Sequence, residues 1–424
     1  MPPMSNPSSA CPTNLDLVTL DVPRAGVPEI ITTAAELDAC CAALAAATGP
    51  VALDTERAAG FKYHPRAYLV QVRREGAGTF LIDPTCFPSL APVQAALLDA
   101  EWILHAADQD LPCLALEGMR PSRLWDTALA ARLLGFERIG LGPLLEDEFA
   151  IHLAKEHSAA DWSIRPLPAS YLAYAALDVE LLIELRERQV EQLTQAGKLA
   201  WAEEEFEHLR LAPPTPAKLD PWRSVPKAHT IKDPRGLAIL RELWTTRDEL
   251  ASAVDLTPGR IIPHHSLVAM AEQQVRTAEE VLSLKACRNS RVRENLDFIV
   301  DALDRAWQLP ADELPAKRGP ASPGSVGDPK LWRRKDPLAA DMYDALRATV
   351  LRRAEELRVP QELLLRPADQ RRVAWYAYEH YRRRAAAPTA AEVAELIGRC
   401  GGRGWQAAQT AAEIAQALGE AAHS

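Results

Sequence analysis

Strand-like runs of apolar residues and stretches with helical spacing alternate along the first half of the chain. Runs at about residues 50–56, 67–73 and 79–83 follow one another closely, which predicts three strands in an antiparallel meander. A further strand is predicted at residues 102–105, among helices. The alanine-rich stretch at residues 34–47 contains two acids, so it predicts an amphipathic helix and not a membrane anchor.

The remainder of the chain has a predominantly helical pattern. One helix is predicted over residues 168–192, and apolar residues recur at helical spacing over residues 234–307. A third helical segment covers residues 329–424. Proline-rich breaks at residues 211–217 and 314–327 separate these segments, and the second break has the low complexity of a flexible linker.

Two carboxylates close the first predicted strand. Asp54 and Glu56 lie two positions apart, and because side chains alternate across a strand, they project from the same face. Holding like charges together is costly unless they are neutralised, and a hard divalent cation such as Mg²⁺ or Mn²⁺ is the usual partner of paired carboxylates. For this pair taken alone, the alternative is a strand that simply ends in solvated acids.

Three further residues extend the acidic group. Tyr174 and Asp178 are four positions apart in a predicted helix, so their side chains stack on one helix face. Asp110 lies where the strand at residues 102–105 meets the start of a helix, and such junctions commonly contribute to α/β active sites. Four carboxylates together suit two metal ions.

These residues form three motifs that are typical of one group of nucleases. The motifs are Leu-Asp-Thr-Glu at residues 53–56, His-Ala-Ala-Asp-Gln-Asp-Leu at 105–111 and Tyr-Ala-Ala-Leu-Asp-Val at 174–179. The arrangement resembles the DEDD superfamily of 3′→5′ exonucleases, in the branch with a tyrosine in the third motif, and most closely the ribonuclease D family. Two further stretches, at residues 125–135 and 161–168, are also similar to that family.

The resemblance implies a ribonuclease H-like α/β fold and two divalent ions, Mg²⁺ or Mn²⁺. It implies that Asp54, Glu56 and Asp178 hold the first ion. Asp54 would bridge to the second ion, which Asp110 would reach through water. Tyr174 is too weakly acidic to act unaided as a base at neutral pH, since its reference pKa is about 10, so its implied role is to orient the attacking water.

Basic residues lie next to two of the motifs. Arg57 follows the first-motif glutamate, where ribonuclease D proteins often carry an aromatic or aliphatic residue. A wedge residue that splays the 3′ nucleotide is therefore expected to be absent or moved. Lys155, His157 and Arg165 precede the third motif and could touch the RNA backbone, but as single charges they are interpreted as surface residues.

Other residues near the motifs have ordinary structural interpretations. Asp108 is interpreted as a solvated turn residue, because the family spacing selects Asp110. His105 is interpreted as a hydrogen-bonded core histidine. Asp126 is interpreted as a helix N-cap, and Trp162 as a packed tryptophan in preference to one that stacks on a base.

The middle helical segment has a resemblance of its own. Residues 243–248 and 256–267 resemble the HRDC domain, a small helical bundle that commonly accompanies ribonuclease D. The C-terminal segment could be a second, diverged HRDC-like bundle. The predicted divisions are a tail (1–27), an exonuclease domain (28–210), a linker (211–232), an HRDC domain (233–310), a flexible linker (311–329) and a C-terminal helical domain (330–424).

Charge is distributed unevenly along the chain. The net charge of −10 is unfavourable for an enzyme that binds phosphates. Residues 330–384, however, carry fourteen basic and eight acidic side chains, so this segment is +6 and the rest of the chain is −16. The arginines at 352–353 and 382–384 either contact RNA or merely solvate helix faces, and the sequence leaves both alternatives open.

Length and cysteine usage indicate a multidomain protein of the cytoplasm. At 424 residues the chain predicts two to four domains. No apolar run approaches the roughly 18 to 20 residues that span a bilayer, and the N-terminus lacks a signal-peptide layout. The cysteines form no Cys-x-x-Cys motif, which argues against a zinc site or disulfides and predicts buried thiols in a reducing compartment. They are Cys11, Cys40, Cys41, Cys86, Cys113, Cys287 and Cys400.

The sequence therefore predicts a metal-dependent 3′→5′ exoribonuclease that releases nucleoside 5′-monophosphates. The family implies RNA 3′ ends as partners and maturation of tRNA precursors as a role, and no organic cofactor is expected. A monomer is expected. One alternative is a 3′→5′ DNA exonuclease in repair, since no motif reveals a contact to the 2′-hydroxyl. Another is a catalytically silent RNA-binding protein, against which the presence of all five active-site residues argues.

Overall fold

The computed structural model describes residues 17–153, 160–214, 216–320 and 324–423. Its strands all precede residue 154. They are β1 (Val18–Leu20), β2 (Ile30–Ile31), β3 (Val51–Arg57), β4 (Ala67–Arg74), β5 (Gly78–Ile82), β6 (Glu101–Leu104), β7 (Arg123–Asp126) and β8 (Ile151–Leu153).

The helices fall into three groups along the chain. The first group is α1 (Ala34–Ala46), α2 (Ala91–Ala96), α3 (Leu111–Leu116), α4 (Thr127–Leu134), α5 (Leu141–Phe149), α6 (Ala169–Asp178), α7 (Leu182–Gln195) and α8 (Leu199–Arg210). The middle group is α9 (Pro234–Ala253), α10 (Pro258–Ile261), α11 (His264–Gln273), α12 (Ala278–Ser283), α13 (Ser290–Glu294) and α14 (Leu296–Gln308). The C-terminal group is α15 (Pro329–Lys335), α16 (Pro337–Leu357), α17 (Gln361–Leu364), α18 (Pro367–Arg384), α19 (Ala390–Arg399) and α20 (Gly404–His423). Short 3₁₀ turns lie at Pro84–Cys86, Pro221–Ser224, Ala228–Thr230, Lys285–Cys287 and Ala311–Glu313.

A six-stranded mixed sheet forms the centre of the first group. Its strand order is β2-β5-β4-β3-β6-β7, and β3, β4 and β5 pair antiparallel as the predicted meander. The predicted fourth strand, β6, lies parallel to β3 on its other side. Because β3 and β6 run in the same direction, the residues that follow both strands meet at one edge of the sheet.

The sequence pattern missed the shortest strands. β7 contains four residues, and its last residue, Asp126, was assigned only a capping role. β1 lies within the predicted tail and pairs in parallel with β8, with Val18 opposite Ile151. Strands of two to four residues contain few positions for an alternating pattern, and of these short strands only β6, with its apolar run, was predicted.

The single helix predicted over residues 168–192 is wrong in its middle. α6 ends at Asp178 and α7 begins at Leu182, so a turn separates two helices. Leu177, Val179 and Leu181 in and around this turn are almost fully buried. A turn that is buried on all sides keeps the apolar content of a core helix, and periodicity therefore does not reveal it.

The C-terminal group of helices shares a hydrophobic core with the exonuclease sheet. One continuous cluster joins Ala52 and Leu133 of the first group to residues of α16, α18 and α20. Trp405 stacks on Trp201 of α8, with ring centroids 5.0 Å apart. Gly135, which ends α4 with φ of 86°, lies so close to this group that a Cβ atom there would be 2.8 Å from the Arg358 carbonyl oxygen.

The middle group of helices docks on the loop that follows β3. Tyr63 Oη donates to Asp248 Oδ2 at 2.9 Å, and the backbone N–H groups of Tyr63 and His64 donate to Asp255 Oδ1 at 3.2 and 3.1 Å. Lys62 forms an ion pair with the same aspartate at 3.3 Å. This loop begins two residues after Glu56, so the middle group is anchored next to the acidic strand.

We expect Asp255→Gly to loosen this docking. Glycine tolerates the positive φ of 49° at this position, so the backbone is retained while two hydrogen bonds and an ion pair are lost. Each such contact contributes about 0.5 to 3 kcal/mol, so a shift toward undocked molecules is expected. Small-angle scattering should show a larger radius of gyration. Asp301→Ala, at an exposed acid of the same helices, is the control, and equal scattering from both variants would contradict the expectation.

Two other expectations can be compared with the structure. Among the described residues, no helix combines the length and apolar content needed to cross a membrane. The expectation that the cysteines are buried holds for Cys40, Cys113, Cys287 and Cys400, but Cys86 is exposed and Cys41 is half-buried. Cys11 lies outside the described residues.

Candidate active site

Three acids from two distant parts of the chain meet at the edge of the sheet. Asp54 and Glu56 project from the same face of β3, and Asp178 reaches them from the end of α6. One carboxylate oxygen from each lies within 4.8 Å of the other two. Glu56 is buried, and the other two acids are half-buried.

Tyr174 lies one helical turn before Asp178. Its hydroxyl donates a hydrogen bond to the Asp178 carboxylate. The ring of Trp162, which is fully buried, packs 6.2 Å from the Tyr174 ring and 4.9 Å from the Tyr171 ring. Trp162 thus acts as packing for the tyrosine, in line with the sequence interpretation.

Asp110 stands at the start of α3 and is held by a residue that the sequence did not single out. Thr55 Oγ1 donates to Asp110 Oδ1 at 2.5 Å, and the Cys113 thiol donates to the Asp110 carbonyl oxygen at 3.0 Å. Arg57 binds the adjacent turn, with its guanidinium donating to the Gln109 carbonyl oxygen at 2.8 Å. The arginine that departs from the family pattern therefore ties the first motif to the second.

Burial raises the pKa of each of the four acids, and repulsion among them adds to the rise for Asp54, Glu56 and Asp178. Burial, followed by the charges of Asp178 and Asp110, raises the pKa of Glu56 to about 9. Burial raises the pKa of Asp178 to about 7 and that of Asp110 to about 6. Burial and then the charges of Asp110, Asp178 and Glu56 raise the pKa of Asp54 well above its usual value. Without a cation, the group is electrostatically unfavourable in its ionised form.

The donor set fits hard divalent cations. Carboxylate oxygens are the preferred ligands of Mg²⁺ and similar ions, and the cluster of Asp54, Glu56 and Asp178 offers three carboxylates with no thiol or imidazole among them. Asp110, whose carboxylate accepts from Thr55, does not belong to this cluster of three. Asp178 is the last residue of α6, where the helix dipole disfavours negative charge. A bound cation would offset both the repulsion among the acids and the unfavourable helix dipole at Asp178.

Sequence comparisons place the chain among known nucleases. A family profile described as "3'-5' exonuclease" matches residues 28–194, and the HRDC domain profile matches residues 236–303. A third profile, described as "3' to 5' exonuclease C-terminal domain", matches residues 325–418. Ribonuclease D of Pseudomonas paraeruginosa is 30% identical over 74% of this chain and 81% of its own length. The chain belongs to the ribonuclease D family.

Solved structures agree with this membership in the ribonuclease D family. A crystal structure of a protein from Bifidobacterium adolescentis is 34% identical and covers 95% of this chain and 100% of its own, with a TM-score of 0.84. The crystal structure of Escherichia coli RNase D, titled an exoribonuclease involved in structured RNA processing, is 25% identical. It covers 83% of this chain and 91% of its own, with a TM-score of 0.63. The predicted enzyme class, a 3′→5′ exoribonuclease, and the predicted fold class are confirmed.

In this chain, Asp126 does more than cap a helix. Its carboxylate accepts from the N–H groups of Ala128 and Leu129 at 2.9 and 3.0 Å, which caps α4 as predicted. It also accepts from Ala106 and Ala107 at 3.2 and 2.9 Å. Ala106 has φ of 60°, a strained conformation for alanine, so Asp126 stabilises the turn that carries Asp110.

The other residues near the motifs are arranged largely as the sequence indicated. His105 Nδ1 lies 2.9 Å from Thr127 Oγ1, and burial lowers its pKa to about 4, as expected of a neutral core histidine. Asp108 is exposed and Asp110 is buried, which agrees with the choice between them.

Arg165 is exposed, as the sequence indicated, and its side chain also has several partners. Its guanidinium binds both carboxylate oxygens of the buried Asp83, at 2.6 and 2.8 Å, and donates to the Tyr68 and Trp162 carbonyl oxygens, both at 2.8 Å. The sequence did not reveal these contacts, because the partners include β4 and the residue that follows β5, which are far away in the chain. Lys155 and His157 lie outside the described residues.

Proposed function

We propose that this enzyme shortens RNA from the 3′ end by hydrolysis, with two divalent ions, Mg²⁺ or Mn²⁺, as cofactors. The observation that carries the proposal is the convergence of Asp54, Glu56 and Asp178, within 4.8 Å, beside the hydroxyl of Tyr174. Asp54, Glu56, Asp110 and Asp178 would hold the ions. When bound, such ions activate water and stabilise the leaving 3′ oxygen of a phosphodiester.

The protein residues contribute position and proton placement. Burial and then the charges of the three nearby acids raise the pKa of Tyr174 above its usual value, so its hydroxyl stays protonated. A protonated phenol donates hydrogen bonds, and we assign it the role of orienting the attacking water. β3 pairs with β4 along its length and with β6 at Val51 and Ala52, and this rigid strand keeps Asp54 and Glu56 fixed while the nucleotide is exchanged.

RNA is the proposed substrate because the relatives are named ribonuclease D. Precursors of tRNA are the proposed natural substrate class, and the enzyme is proposed to work as a cytoplasmic monomer. The basic C-terminal segment gives limited support for RNA binding. Most of the arginines at 352–353 and 382–384 already have carboxylate partners: Arg352 and Arg353 bind Glu356, Arg383 binds Glu379, and Arg384 binds Glu392.

Digestion of matched RNA and DNA oligonucleotides tests this proposal. Each strand carries a 5′ label, and the products are resolved after incubation with EDTA, Mg²⁺ or Mn²⁺. We expect ladders that shorten from the 3′ end of RNA, release of nucleoside 5′-monophosphates, and no digestion in EDTA. Activity that persists in EDTA would contradict the metal-dependent mechanism, and preferential digestion of DNA would favour the repair alternative. Binding of RNA without digestion would favour a silent RNA-binding protein.

A further inference from the structure

A fully buried glutamine lies on the face of the sheet that carries the acids. Gln71 in β4 is 0% exposed and is paired with Asp54 of β3 in the antiparallel register. Residues directly opposite each other in such a pair project from the same face, with Cβ atoms about 4.5 to 5.5 Å apart. The amide of Gln71 is therefore an immediate neighbour of the Asp54 carboxylate.

Both polar atoms of this amide lack a hydrogen bond within the part of the chain that the structure describes. Neither Nε2 nor Oε1 of Gln71 has a partner there. A buried polar group without a partner costs about 1 to 3 kcal/mol. The flanking residues on the same face, Leu69 and Leu81, are fully buried and apolar, so an aliphatic side chain at position 71 would avoid this cost.

The side-chain donors next to the acids are already engaged with other acids. The Thr55 hydroxyl donates to Asp110, and the Tyr174 hydroxyl donates to Asp178. Asp54 receives its hydrogen bond from the backbone N–H of Thr55. A carboxylate that binds a metal is normally hydrogen-bonded by a further residue that fixes its orientation.

We propose that Gln71 is a positioning residue of the metal site, whose amide N–H donates to the Asp54 carboxylate, directly or through one ordered water, when cations are bound. The inference rests on the proposed metal-binding role of Asp54. Through this hydrogen bond, Gln71 fixes which lone pairs of the Asp54 carboxylate face the cations. Its carbonyl oxygen accepts from an ordered water, so both orphaned atoms obtain partners.

The full-length variant Gln71→Met tests the proposal, because methionine has a similar volume and no polar group. We expect the metal-free variant to melt at or above the temperature of the wild type, since two unsatisfied atoms are removed. We expect its affinity for Mn²⁺, measured by isothermal titration calorimetry, to fall about 10- to 100-fold. The kcat for RNA digestion should fall while KM for RNA is unchanged. Leu69→Met, two residues away on the same face, is the matched control and should alter none of these quantities.

Two results would overturn the assignment. If Gln71→Met lowers the melting temperature of the metal-free protein and binds Mn²⁺ as the wild type does, the glutamine serves packing alone. If both quantities stay unchanged, the amide has no role at the site. Failure of the proposed function looks different: wild type and Asp54→Asn would then bind Mn²⁺ equally weakly, whatever residue occupies position 71.

Discussion

Asp54→Asn is expected to reduce digestion of RNA by about three to four orders of magnitude and, at the same time, to make the metal-free protein more stable. The loss of activity follows because Asp54 is the carboxylate assigned to both ions, and removing that charge forfeits about 4 to 6 kcal/mol of transition-state stabilisation. The gain in stability follows because one of four mutually repelling carboxylates is neutralised. Single-turnover digestion and thermal unfolding in EDTA measure the two effects.

The stability effect has a defined pH dependence. Burial and neighbouring charges raise the pKa of Glu56 to about 9 and burial raises that of Asp178 to about 7, whereas both groups ionise near pH 4 in the unfolded chain. As the pH rises above 4, the unfolded state loses protons that the folded state retains, so the metal-free wild type loses stability up to about pH 9. Asp54→Asn should lose less stability over that window, and its melting temperature should exceed that of the wild type by about 2 °C or more at pH 8.

In the presence of divalent ions, the melting temperature of the wild type should exceed that of Asp54→Asn. Mn²⁺ raises the melting temperature of a protein that binds it only in the folded state, so the wild type should gain more than Asp54→Asn. Asp108→Asn, at an exposed acid near the second motif, is the control for a general charge effect and should behave as the wild type. A lower melting temperature for metal-free Asp54→Asn would contradict the picture of a repelling acid cluster.

The success of the sequence interpretation depended on local rules. The spacing of two between Asp54 and Glu56, and of four between Tyr174 and Asp178, fixes a shared face within a single strand or helix. The meander of β3, β4 and β5 was predictable because its strands are consecutive and at least five residues long. The expectation that the three motifs meet in one site came from the family resemblance.

The features that were missed depend on contacts between distant segments. Thr55 lies between the two first-motif acids and therefore projects from the opposite face of β3, yet its hydroxyl binds Asp110, which follows the turn after β6. The partners of Arg165 are distant in the same way. Gln71 left a visible signal, a polar residue within the apolar run of β4, but only the strand register places it opposite Asp54.

The C-terminal helices are joined to the exonuclease part by more than the low-complexity linker that precedes them. They complete a core that begins on the exonuclease sheet. Linker composition reports the stiffness of the connecting chain, and it carries no information on the apolar faces at either end. The exonuclease surface of α4 and α8 is therefore built to be covered by these helices.

Arg403→Met is expected to destabilise the whole molecule by about 3 to 5 kcal/mol, because it breaks a buried ion pair at this interface. Arg403 Nε and Nη2 donate to the two carboxylate oxygens of Glu205 in α8, at 2.7 and 2.5 Å. The side chain of Glu205 is 4% exposed, so its charge would remain buried, with the Trp405 indole N–H at 2.7 Å and the Gln406 amide as its remaining donors among the described residues. Denaturant unfolding, followed by tryptophan fluorescence, measures the loss.

The double variant Arg403→Met, Glu205→Leu separates the ion pair from packing. Removing both charges should recover most of the lost stability. Replacing a buried ion pair by apolar groups changes the free energy of unfolding little, whereas one uncompensated buried charge lowers it strongly. Arg334→Met, at an exposed arginine of the same domain, should change stability by about 0.5 kcal/mol or less. If Arg403→Met unfolds the C-terminal helices in a separate, earlier transition while the exonuclease sheet keeps its stability, the two parts are independent units and the shared core does not couple them.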